Sequence, residues 1–247
     1  MLKRILIVMI CMTAIQTLRA QTADTARLYA EMRKLQEAYT ANGLRYDFRY
    51  TYAGAHQPGR ILDSLTGSVE MSAAGTKMEM RHMEFVTNPR YAIVLFKEDK
   101  VMYLYKPNSI PQHDPLFQIR MLMESSLVSK VDIMTEQQSR RIQIRFDSLS
   151  MVKSIDMHIA SGKGLLSSVR YVLQTELMKA GRSLTAAEQQ KYGPLAQVNM
   201  YFLSYGLLPA GSNESVHESA YFTIDNGEYK TTPAYNEYQI YKGSPNL

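Results

Sequence analysis

Residues 44–52 read LRYDFRYTY. Large apolar side chains occupy every second position of this stretch, namely Leu44, Tyr46, Phe48, Tyr50 and Tyr52. Successive side chains of a β-strand point to opposite faces of a sheet. The alternation therefore predicts a strand with one apolar face that is covered and one polar face that meets water.

An amphipathic helix is predicted directly before this strand, over residues 22–42. Its apolar residues follow a helical period along one stripe, namely Leu28, Met32, Leu35 and Tyr39. Asn42 and Gly43 are typical of a helix end. A helix with a single apolar stripe packs against something larger, so we expect this helix to cover the sheet that the strand begins.

Further strands are predicted along the rest of the chain, about ten in all, separated by turns such as Lys97-Glu98-Asp99-Lys100 and Asp225-Asn226-Gly227. Asp114-Pro115 predicts the start of a short second helix that is apolar over much of its girth. A brief helix is also predicted after Thr185. The fold class is therefore mainly β with a few helices, and a sheet of this size tends to curl.

The first 20 residues have the pattern of a cleavable signal peptide. Lys3 and Arg4 precede an apolar run, and Ala20 is a small residue at the expected cleavage position. The alternative is a buried N-terminal element. We expect export to the periplasm and a single mature domain over residues 21–247. The only cysteine, Cys11, lies in the leader, so the mature chain has no thiol chemistry or disulfides.

Composition and motifs predict neither nucleic-acid binding nor catalysis. The leader contains Lys3, Arg4 and Arg19, three of the 28 basic residues, and none of the 23 acidic ones. The mature chain is thus nearly neutral, which gives no electrostatic basis for binding nucleic acid. The five histidines are not at metal-ligand spacing, and no G-x-S-x-G motif occurs. We therefore expect no enzymatic activity, metal or cofactor.

Two segments carry a resemblance to a known family. The first, from Ile93 to Pro107, is an apolar strand, the turn Glu98-Asp99-Lys100 and an aromatic strand. The second is the hairpin from Ile155 to Tyr171. With the order of the elements, these segments resemble the LolA/LolB-like periplasmic lipoprotein carrier and receptor proteins. The resemblance implies a curved antiparallel half-barrel sheet, with an N-terminal amphipathic helix and short helices over its concave face.

This resemblance leads to two functional hypotheses. In the first, the chain is a soluble periplasmic protein that binds an acyl chain, from a lipid or a lipoprotein, in an apolar concavity. The expected lining residues are Tyr46, Phe48, Tyr50, Tyr103, Phe117, Met121 and Leu122. In the second, the same fold is a non-catalytic envelope scaffold with a filled interior, and its tyrosine-rich tail contacts an envelope protein partner. An apolar cavity of ~300 Å³ or more under the helices would distinguish the first from the second.

Overall fold

The computed structural model describes residues 26–39, 43–107, 115–124, 128–136, 139–160, 162, 164–179, 185–208, 212–245 and 247. The predicted signal peptide, its cleavage site and Asp114 lie outside the described residues. Among the described residues, no helix has both the length and the apolar character needed to cross a membrane.

Fourteen strands are found in the described residues, more than the ten or so predicted. They are β1 Leu44–Gly54, β2 Ile61–Ser72, β3 Gly75–Met80, β4 Met83–Thr87, β5 Ala92–Phe96, β6 Val101–Tyr105, β7 Val128–Glu136, β8 Ser139–Phe146, β9 Val152–Ala160, β10 Leu166–Gln174, β11 Leu195–Leu207, β12 Phe222–Asp225, β13 Glu228–Thr231 and β14 Gln239–Lys242. The helices are α1 at 26–39, α2 Pro115–Glu124 and α3 Ala186–Tyr192. Short 3-10 helices cover Thr175–Lys179, Ser212–Val216, Glu218–Ala220 and Pro233–Tyr235.

Twelve of these strands form one curved sheet, in the order β14-β6-β5-β4-β3-β2-β1-β11-β10-β9-β8-β7. Two meanders, β1–β6 and β7–β11, meet where β1 pairs with β11. The pairing is antiparallel except at β14, which lies parallel to β6. The predicted class, a mainly β half-barrel with helices over its concave face, is confirmed.

Helix α1 lies on the concave face, as its apolar stripe predicts. Leu28, Met32, Leu35 and Tyr39 are all buried, with at most 8% of each residue exposed. They belong to one large core, here called the first core, together with residues of α2, β1 and β7–β11. One ion pair ties the helix to the sheet, because the buried Glu31 accepts a hydrogen bond from Arg140 of β8 at 2.5 Å; Glu31 also accepts one from Lys34 of the same helix at 2.9 Å.

Strand β1 presents its alternating apolar residues to this core. Leu44, Tyr46 and Phe48 are buried, and Arg45 and Arg49 are exposed on the opposite face. Phe48 lies directly across from Gly67 of β2. A Cβ atom at Gly67 would come within 2.6 Å of the Phe48 ring, so the ring occupies the space that this glycine leaves open.

The C-terminal segment, residues 212–247, builds a second core on the other face of the sheet. Val216, Tyr221 and Phe222 pack there against apolar residues of β4, β5 and β6. The predicted hairpin turn is confirmed by positive φ angles of 50° at Asn226 and 82° at Gly227. Tyr221 is 1% exposed. Tyr229, Tyr235 and Tyr238 of the tail are partly buried against the same core, and Tyr241 is 45% exposed. Contact of the tyrosine-rich tail with an envelope protein partner stays a prediction, in which the buried Tyr221 takes no part.

Candidate functional site

The predicted lining residues of β1 face the core that the helices cover. Tyr46 is fully buried and Phe48 is 1% exposed. Tyr50 packs against the same core, and its ring centroid lies 5.4 Å from that of Phe48. Burial raises the pKa of the Tyr50 hydroxyl well above its usual value. Tyr46 and Phe48 therefore lie in the packed interior, and Tyr50 lies at its partly exposed margin.

Tyr103 lies apart from this group, because β6 is separated from β1 by four strands of the sheet. Its ring is surrounded by other aromatic rings near the sheet edge. The centroids of Phe96, Tyr105 and Tyr241 lie 5.9, 6.3 and 5.5 Å from that of Tyr103. The structure thus does not bring Tyr103 together with the predicted residues of β1.

Helix α2 packs through a different stripe from the one predicted. Its buried residues are Leu116, Ile119 and Met123, which follow the helical spacing of one face. Leu122 and Phe117 are partly buried, and Leu122 packs against the first core. Met121 is 52% exposed, and its position on the helix points away from the face that Ile119 buries.

An apolar cleft opens beside the end of α1, where β1 begins and β11 ends. Its volume is about 410 Å³. It is lined by Ala38, Tyr39, Gly43, Leu44, Leu165, Tyr205, Gly206 and Leu207. None of these residues carries a charge, and Leu207 at the rim is 72% exposed. The cleft is thus large enough for part of an apolar ligand and open to water at one side.

Two tyrosines from distant parts of the chain form a wall of this cleft. Their hydroxyl oxygens lie 2.7 Å apart, and the Tyr205 hydroxyl donates to the backbone carbonyl of Leu166 at 2.6 Å. Tyr39 is consequently the donor to Tyr205. Burial raises the pKa of Tyr205 well above its usual value, although the hydrogen bond with Tyr39 opposes the shift. The Tyr205 hydroxyl is therefore neutral at physiological pH.

The predicted site and the cleft meet at Tyr46. Its ring centroid lies 6.1 Å from that of Tyr39 and 5.8 Å from that of Tyr205. Of the predicted residues, Tyr46 thus comes nearest to the cleft, behind its wall. Of the two tyrosines in the wall of the cleft, the sequence pattern indicates only that Tyr39 is buried, because it ends the predicted apolar stripe. Nothing in the spacing of the sequence indicates that Tyr205 lies beside it.

A larger cleft, of about 560 Å³, lies at the opposite rim of the sheet, and its lining includes the charged side chains of Lys153 and Glu176. The ammonium group of Lys153 donates to two backbone carbonyls, those of Ser148 and Ser150. In the described parts of the chain, no three His, Cys, Asp or Glu side chains lie close enough to hold a metal ion. The smaller cleft is therefore the better candidate for an apolar ligand.

No protein-family model matches the sequence, and no curated protein matches it. Solved structures similar to the chain include an uncharacterized conserved protein from Thermus thermophilus, with 7% identity, a TM-score of 0.46 and coverage of 87% of this chain and 99% of that one. A LolA superfamily protein from Nitrosomonas europaea has 7% identity, a TM-score of 0.31 and coverage of 74% and 96%. Pseudomonas aeruginosa MucB, in its complex with MucA, has 12% identity, a TM-score of 0.36 and coverage of 82% and 62%. These similarities concern the fold alone, and they include the family that the order of elements resembles.

Proposed function

We propose that this chain is a periplasmic protein that binds an acyl chain, from a lipid or a lipoprotein, in the cleft beside the end of α1. The observation that carries the proposal is the cleft itself, about 410 Å³ in volume and lined without any charged side chain. Its polar groups are the hydroxyls of Tyr39 and Tyr205, which bond to each other. An uncharged apolar chain would leave these hydrogen bonds intact.

The magnitude of apolar burial is sufficient for useful affinity. Each methylene group transferred from water contributes about 0.8 kcal/mol. Ten methylenes would supply about 8 kcal/mol, the binding free energy of a micromolar complex, before the cost of association is subtracted. An acyl chain that also covers the exposed side chain of Leu207 would bury further apolar surface of the protein. No catalytic step and no cofactor is part of this proposal.

The test fills the cleft. Ala38 lies on α1, is partly buried and lines the cleft, so Ala38→Trp would place an indole in the ligand space. Binding of a dansyl-labelled undecanoic acid should weaken at least about tenfold, since loss of two buried methylenes already accounts for that factor. Ala26→Trp, at an exposed position of the same helix, is the matched control and should bind as the parent does.

Thermal denaturation of both variants shows whether they fold. If the parent protein binds the probe and a folded Ala38→Trp variant binds it equally well, the ligand lies elsewhere and the proposal is contradicted. Parent protein that binds no probe would favour the second candidate function, a non-catalytic envelope scaffold. That candidate is supported by the filled interior, where Tyr46 and Ile119 are fully buried.

A further inference from the structure

A groove runs between α1 and α2 on the side turned away from the sheet. Its volume is about 200 Å³. Met32, Leu116 and Met123 form its floor, since they are lining residues that are also buried in the first core. Arg33 and Arg120, one from each helix, line it as well and are exposed. The groove thus combines an apolar floor with two guanidinium groups at its mouth.

The two helices carry more exposed basic residues than exposed acidic ones. Arg27, Arg33, Lys34 and Arg120 are exposed, against Glu37 and Glu124. Arg33 forms an exposed ion pair with Glu37 at 3.8 Å. The excess of basic charge on these helices therefore rests mainly on Arg27 and Arg120. The third acidic residue, Glu31, is buried and accepts hydrogen bonds from Arg140 and Lys34. The outer surface of the helices is therefore net positive and complementary to an anionic partner.

Large apolar side chains stand on this same surface. Tyr29 lines the groove and is 43% exposed, and Met121 of α2 is 52% exposed. Phe117 is partly buried, with the guanidinium carbon of Arg120 5.5 Å from its ring centroid. Exposed apolar side chains beside basic ones are the arrangement by which a helix lies in the interface of an anionic bilayer.

We propose that the outer surface of α1 and α2 docks on an anionic lipid bilayer. Tyr29 and Met121 would enter the headgroup region, and Arg33 and Arg120 would contact lipid phosphates. A flat partner fits better than a peptide, because the groove has only about half the volume of the acyl cleft and the apolar side chains stand beside it on the surface. This docking is independent of the acyl cleft, although Ala38 and Tyr39 of the cleft follow directly on the same helix.

The experiment measures co-sedimentation with vesicles. The parent protein should bind vesicles of phosphatidylcholine mixed with phosphatidylglycerol, more tightly at low salt than at high salt, and should not bind vesicles of phosphatidylcholine alone. Each basic residue near an anionic surface strengthens binding about fivefold. The double variant Arg33→Gln and Arg120→Gln should therefore bind the mixed vesicles about 25-fold more weakly.

The matched control changes the same number of charges on the other face of the sheet. Arg49 of β1 and Arg145 of β8 are both exposed there, and Arg49→Gln with Arg145→Gln should reduce binding by less than about twofold, because that face is turned away from the bilayer. Equal weakening in both double variants would show an effect of net charge alone and overturn the proposal.

Two further outcomes complete the test. In the first outcome, the parent protein does not bind mixed vesicles but binds a polyglutamate peptide, and the double variant Arg33→Gln and Arg120→Gln loses the peptide. This result would assign the surface to an acidic protein partner and overturn the bilayer proposal. The Ala38→Trp variant should bind mixed vesicles as the parent does. Its loss of the dansyl probe thus separates failure of the cleft from failure of the docking surface.

Discussion

Replacement of Gly67 by alanine should destabilise the sheet where this residue of β2 lies between Phe48 of β1 and Met80 of β3. The new Cβ atom would lie 2.4 Å from the backbone oxygen of Glu79 and 2.6 Å from the ring of Phe48. A side chain that removes conformational freedom from the unfolded chain stabilises by about 0.4–1 kcal/mol. Overpacking costs about 1–3 kcal/mol, and the contact with a backbone atom cannot be relieved by a rotamer change. We therefore expect a net loss of about 1–2 kcal/mol and, for a chain of this size, a Tm lower by about 2–8 °C.

Gly206 provides the matched control, since it lies in β11 and a Cβ atom there would meet no other atom within 4 Å. Gly206→Ala should leave the Tm unchanged or raise it slightly, because only the effect on the unfolded chain remains. Thermal denaturation followed by circular dichroism measures both variants. A Tm for Gly67→Ala equal to that of Gly206→Ala would show that Phe48 does not lie over this glycine and would refute the packing described for β1.

Two further predictions concern α2 and the polar face of the sheet. Ile119→Ala should reduce the free energy of unfolding by about 2–5 kcal/mol because Ile119 is fully buried, and Met121→Ala by less than about 0.5 kcal/mol; equal losses in urea denaturation would contradict the orientation of the helix. Burial raises the pKa of Asp156, but two hydrogen bonds from Arg141, at 2.8 and 2.6 Å, outweigh it, so the net pKa is lowered. The resulting stability is present above the ordinary Asp pKa of about 3.9 and is lost as the pH falls through the lower folded-state value. Asp156→Asn should thus be less stable than the parent at neutral pH and lose less stability on acidification, and a pH dependence identical to the parent's in urea titrations would contradict this.

The parts of the fold that depend on local patterns could be predicted from the sequence. The stripe ending in Tyr39 and the alternation beginning at Leu44 are periodicities of single elements, and each element presents its apolar side to one core. Asn226-Gly227 determines its turn because both residues adopt positive φ angles readily. These signals require no knowledge of the partner element, so they were sufficient.

The parts that depend on partners distant in sequence could not be predicted in the same way. Nothing in the sequence of β14 indicates that it pairs parallel to β6. Nothing around Tyr221 indicates that its side chain packs on the face of the sheet opposite the helices. The sequence shows that α2 is apolar on most of its surface, but not which side faces the core. Packing in the folded protein determines that side, because it buries Ile119 and leaves Met121 exposed. The cleft requires Tyr39 and Tyr205 to meet, and these residues are 166 positions apart.

The pairing of β1 with β11 also determines how the chain must assemble. Each meander pairs strands that are consecutive in sequence, but the seam between the meanders joins residues such as Asp47 and Ser204. These two residues are 157 positions apart and share a hydrogen bond of 2.7 Å. Closing a loop of that length costs conformational entropy that local hairpins avoid. Helix α1 spans the seam, since Tyr39 contacts Tyr46 on one side and Tyr205 on the other. A fragment that contains only one meander would therefore leave part of the apolar stripe of α1 without a surface to cover. Cooperative folding of the two meanders thus depends on contact between α1, which precedes both meanders in sequence, and β11, the last strand of the second meander.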